Sequence, residues 1–121
     1  MPDRIRALLD VYDRSLTGCD GMTSICHTVL TRENIAHVCM VGVCRYGAKR
    51  LPIHLWIDLQ DDLKGYRVDY SLRMWLGDFP DVPHGVFRPE EFPKISYQEA
   101  APRNLPLLSD RLFKSLTTHW H

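Results

Sequence analysis

Residues 53–72 read Ile-His-Leu-Trp-Ile-Asp-Leu, then Gln-Asp-Asp-Leu-Lys-Gly, then Tyr-Arg-Val-Asp-Tyr-Ser-Leu: two alternating runs joined by a short polar link. A period of two puts successive side chains on opposite faces of a strand. In the first run Ile53, Leu55, Ile57 and Leu59 share one face, and His54, Trp56 and Asp58 the other. In the second, Tyr66, Val68 and Tyr70 oppose Arg67, Asp69 and Ser71. The link ends in Lys64-Gly65 and reads as a hairpin-type connection. Pairing the runs through it brings His54 and Asp69 onto one side of the sheet.

Working upstream, residues 36–45 (AHVCMVGVCR) are rich in β-branched and small apolar residues and read as a buried strand, with Tyr46-Gly47-Ala48-Lys49 as the turn after it. Ahead of that strand, Met22, Ile25, Cys26, Val29 and Leu30 form one helical stripe that stops near Glu33-Asn34. An earlier stripe of Ile5, Leu8, Leu9 and Tyr12 predicts a helix ending near Leu16, broken by Thr17-Gly18. Downstream, 77–93 is rich in Pro and Gly and reads as a long surface loop with a short strand near Gly85-Val86-Phe87. Residues 99–107 read as a connector, and Asp110 to Leu116 as a closing helix with Leu112, Phe113 and Leu116 on its apolar stripe. The expected architecture is α+β: N-terminal helices packed on a small antiparallel sheet, one domain over residues 1–121.

The balance of fifteen basic against fifteen acidic residues disfavours partners selected by net charge, so neither nucleic acid nor a membrane surface is expected. The N-terminal stretch alternates charged and apolar residues and lacks the apolar run of a signal peptide or membrane span; the expected location is cytoplasmic. In that reducing setting Cys19, Cys26, Cys39 and Cys44 are thiols. Their spacing argues against zinc. Cys39 and Cys44 are five apart and diverge on a regular strand, and Cys26-His27 diverge on a helix.

A nucleophilic thiol needs a lowered pKa, a base beside it and a group that orients the base. Cys19 follows the glycine break at the start of the second helix, where free N–H groups favour a thiolate and an oxyanion. His54 is the candidate base and Asp69 its orienting carboxylate, with His84 as a rival base. Cys26, Cys39 and Cys44 fall on apolar stripes and read as core. Trp56, Trp75 and His84 are the candidate substrate-binding residues, with loop 77–93 walling the cleft.

These residues resemble the transglutaminase-like, papain-related superfamily. Gly18-Cys19 opens a helix leading to Asn34-Ile35-Ala36, where that superfamily has a Gly-Ile-Pro-Ala-like strand start. His54-Leu55-Trp56-Ile57-Asp58-Leu59 is similar to its His-Ala-Trp-Val-Glu-Val strand, and Asp69-Tyr70-Ser71 stands where it has Asp-Pro-Thr. The resemblance covers roughly residues 16–72 and departs from the pattern at Ala36-His37 and Tyr70. It implies a cysteine-dependent hydrolase or acyltransferase that attacks an amide or ester carbonyl through an acyl-thioester. Such an enzyme needs no cofactor and no metal, and its expected substrate is a protein or peptide. The alternative is a catalytically inactive binding or adaptor domain that kept the fold.

Overall fold

The computed structural model describes residues 2–13 and 19–118, the side chains of 19 and 20 excepted. The chain is α+β, with a five-stranded antiparallel sheet in the order β4-β3-β2-β1-β5. The elements run α1 (Pro2–Asp10), α2 (Cys19–Arg32), β1 (His37–Tyr46), β2 (Lys49–Leu59), β3 (Arg67–Asp69), α3 (Leu72–Leu76), β4 (Gly85–Phe87), β5 (Ile95–Pro102) and α4 (Asp110–Thr117).

The α2 stripe is buried as its spacing predicts: Met22, Ile25, Cys26, Val29 and Leu30 pack with Ile5 and Leu9 of α1 against Cys39, Ile57, Leu59 and Val68 of the sheet. Helix α2 closes on Asn34, whose φ of 57° is the left-handed conformation of a Schellman cap. There the Ile35 amide donates to Leu30 O (2.9 Å) and the Asn34 amide to Thr31 O (3.1 Å). Phe113 and Leu116 of α4 cover the same core, and the Ser109 hydroxyl caps that helix by accepting from the Leu112 amide. The opposite face of the sheet carries a second core of Cys44, Trp56, Leu72, Leu76, Val82 and Ile95. The sheet is thus a middle layer between α1, α2 and α4 on one side and α3 with its following loop on the other.

Several expectations are corrected. Helix α1 stops at Asp10, not near Leu16: the Tyr12 and Asp13 amides donate to Leu9 O and Asp10 O, three residues back, which tightens the end into a turn. Strand β2 begins at Lys49, so the turn is the two residues 47–48, with Gly47 at φ 59° as a two-residue hairpin loop requires. Ile53, expected on the apolar row, is exposed because a β-bulge sets Pro52 and Ile53 opposite Val43 alone. Proline is tolerated there since a bulge leaves the ladder locally unpaired.

The third strand ends at Asp69, not at Leu72. The Asp69 Oδ1 atom accepts from the backbone amides of Ser71 and Leu72, both 3.1 Å, and turns the chain into α3. Residues 95–102, of which 99–102 were expected to belong to a connector, form β5 on the outer edge of β1. The short strand Gly85–Phe87 is where expected and pairs with β3.

Candidate functional site

The site grows from the bulge in β2. Immediately after it, His54 and Trp56 rise from the face opposite α2, beside Asp69 at the end of β3. His54 Nε2 lies 2.7 Å from Asp69 Oδ2, and both side chains are almost wholly buried. Because a carboxylate only accepts, the imidazole donates its Nε2–H in this contact. Tyr97 of β5 donates its hydroxyl to the same oxygen at 2.9 Å. Asp69 therefore receives His54 and Tyr97 on Oδ2 and the start of α3 on Oδ1. Burial first, and then the Asp69 charge, hold the Tyr97 phenol well above its ordinary range, so it remains a donor.

Aromatic rings wall this pair. Trp56 packs edge-on against Tyr97 with centroids 4.8 Å apart, and the Arg67 guanidinium lies over both rings at 5.3 and 4.5 Å. Asp58 holds Arg67 there through bonds of 2.7 and 3.3 Å. Gly42 sits opposite His54 in the register because a Cβ there would lie 2.7 Å from the Trp56 ring and 2.6 Å from Gln98 O. The β2–β3 ladder ends at Ile57 and Val68, and among the described residues no strand pairs with His54 on that side.

Cys19 opens α2, and its side chain lies outside the described residues. Cys26, seven residues further along the helix, is buried; desolvation and then the charge of Asp69 push its thiol up. Cys44 is raised by the same two causes, and Cys39 is raised by burial to about 11.

Of the candidate substrate residues, Trp56 is fully buried and presents no surface, its indole N–H lacking a partner among the described residues. Trp75, on α3, is exposed. His84 is partly exposed, pairs through Nε2 with Asp13 at 2.8 Å and sits edge-on to Tyr70. Tyr70 in turn donates to Asp10. The rival base therefore also has a carboxylate behind it, and it lies on the α1 side of the sheet. Neither Tyr97 nor Arg67 was singled out from sequence: the one belongs to an edge strand that no pattern marks, and the other matters only through the rings it covers.

The fold also joins His27, His37 and Cys39, whose ligand-type atoms lie within 4.8 Å of one another. Burial and then the neighbouring His37 lower the pKa of His27. Neither the Cys39–Cys44 spacing nor the adjacent Cys26-His27 marks this group; its local signal is His37-x-Cys39, which a strand points to one face.

No helix among the described residues is long and apolar enough to cross a membrane. Comparison with models of protein families, with curated proteins and with solved structures finds no match to this chain.

Proposed function

We propose that the chain is a cysteine-dependent hydrolase or acyltransferase of transglutaminase-like type, with Cys19 as nucleophile, His54 as base and then acid, and Asp69 as the group that orients His54. The observation that carries the reading is the buried His54–Asp69 pair at 2.7 Å, formed between β2 and β3, downstream of a helix opened by Cys19. A carboxylate on Nε2 fixes the tautomer and leaves Nδ1 as the basic nitrogen for a thiol. Support for the reading comes from the packing of the helix that Cys19 opens: Met22, Ile25, Cys26, Val29 and Leu30 of α2 share one core with Ile57 and Leu59 of β2, the strand that carries His54. In the reaction the Cys19 sulfur attacks the carbonyl carbon, His54 takes the thiol proton and returns it to the departing amine or alcohol, and water or a second amine resolves the thioester.

The test is limited alkylation with iodoacetamide across pH, mapped by mass spectrometry. The other three thiols are an internal baseline, since burial raises all of them. Cys19 is expected to label much faster near pH 7, to slow in His54→Gln and to be unaffected in His84→Ala. Slowing in His84→Ala alone would transfer the base to His84 with Asp13. Labelling no faster than at the baseline thiols and indifferent to both histidines would leave a binding domain, with Asp69 serving to build α3.

A further inference from the structure

We infer that His27, His37 and Cys39 form a binding site for a single divalent transition-metal ion, zinc by the chemistry of its donors. His27 Nε2 lies 3.1 Å from the carbonyl of Leu105, and His37 Nδ1 lies 2.7 Å from the carbonyl of Ile35. Carbonyl oxygens only accept, so each ring spends its N–H on the backbone. The nitrogens left over, His27 Nδ1 and His37 Nε2, both carry lone pairs, yet they face each other at 2.8 Å. Two acceptors do not make a hydrogen bond. Something positive belongs between them, either a proton that leaves a charged ring beside an apolar core or a metal ion.

The surroundings favour the metal. Backing a ligand imidazole with an N–H···O bond is the usual way a metal site fixes ring orientation, and here both rings are backed. The third donor, Cys39 Sγ, lies on the same strand face as His37 and completes a set within 4.8 Å. Two imidazoles and a thiolate suit zinc, with Zn–N near 2.0–2.1 Å and Zn–S near 2.3 Å. Tetrahedral bonds of that length need about 3.3 Å between the nitrogens, so seating the ion opens the present gap by about 0.5 Å. His27 and His37 border a cavity of about 290 Å³ lined also by Pro102, Asn104 and Leu105, which offers a fourth position to water or a ligand. The ion would tie α2 to β1 and to the segment after β5. This site is separate from the His54–Asp69 pair and does not depend on the proposed reaction.

The test uses the full chain, stripped with a chelator and titrated with Co²⁺. One equivalent is expected to bring thiolate-to-cobalt charge transfer in the near ultraviolet and the strong visible bands of tetrahedral cobalt, both removed by excess Zn²⁺. The charge-transfer band should survive the double variant His119→Ala/His121→Ala and vanish in Cys39→Ser. His27→Ala, at a half-buried position on α2, should weaken Zn²⁺ binding by more than the roughly 10–100-fold that loss of a group behind a ligand costs. No charge transfer in the wild-type chain, its persistence in Cys39→Ser, its loss in the terminal double variant, or unchanged affinity in His27→Ala would each overturn the assignment.

Discussion

Replacing Asp69 by alanine strips an acceptor from five donors at once: His54 Nε2, the hydroxyls of Tyr97 and Ser71, and the amides of Ser71 and Leu72. Each buried donor left unpaired costs about 1–3 kcal/mol. Allowing water into the vacated space, the loss is about 4–8 kcal/mol, comparable with the whole stability of an ordinary domain at about 5–15 kcal/mol. Asp69→Asn is different. Its carbonyl can still receive Ser71 and Leu72, so the start of α3 survives and the charge-assisted bond from His54 is the main loss. That costs about 1.5–3 kcal/mol, or about 6–12 °C in Tm at this chain length. Urea denaturation, followed by tryptophan fluorescence and far-ultraviolet circular dichroism, separates the two. Asp69→Ala should be unfolded or nearly so in buffer, and Asp69→Asn folded but weakened. Equal stabilities for the two variants, or both within about 1 kcal/mol of wild type, would refute the view of Asp69 as the knot between β2, β5 and α3.

Gly42→Ala drives a methyl group into the Trp56 ring and the Gln98 carbonyl and should cost about 2–3 kcal/mol in the same assay; a neutral variant would mean that β5 yields at its bulge. Asn34→Gly should be neutral or gain about 0.5 kcal/mol because the cap needs positive φ, whereas Asn34→Ala should lose about 1 kcal/mol; the reverse order would undo the Schellman assignment. Burial raises the Cys44 thiol in the folded chain, so the stability it contributes is full below the ordinary thiol pKa of 9.0 and is lost as pH climbs above it. Unfolding free energy should therefore fall between pH 9 and 11 with a slope about 1.4 kcal/mol per pH unit steeper in wild type than in Cys44→Ala, and equal slopes would count against the buried thiol.

The central meander and α2 were legible because burial acts on them from a definite side. Alternation in 55–59 and the stripe Met22–Leu30 are direct imprints of burial from one side. Strand β5 left no such imprint: apart from Ile95 it is half-buried or exposed, and it ends in Pro102, so neither period nor propensity marks it. Helix α3 was hidden for another reason. Its five residues begin where a side chain, Asp69, captures two backbone amides, and in sequence Asp69 looks like one more outward residue of a strand. The His54–Asp69 pairing was legible because it needs only two neighbouring strands and their faces. The His27–His37–Cys39 group was half legible: His37-x-Cys39 is a local pattern, but His27 joins it only through how α2 lies over the start of β1, a tertiary distance.

The place of β5 in the sheet has a consequence for the order of assembly. Strands β1 and β2 meet through a two-residue loop, so their contact closes early and at small entropic cost. Strand β5 joins β1 from some fifty residues away in the chain, after β3, α3 and β4 have intervened. Such a long closure belongs to the last stage of folding. Tyr97, the donor that completes Asp69, travels on that late strand. The aromatic wall around His54 is therefore finished only when the outer edge zips shut. Any partner or substitution that peels this edge would loosen Asp69 and the Trp56 ring before it disturbed the α2 core.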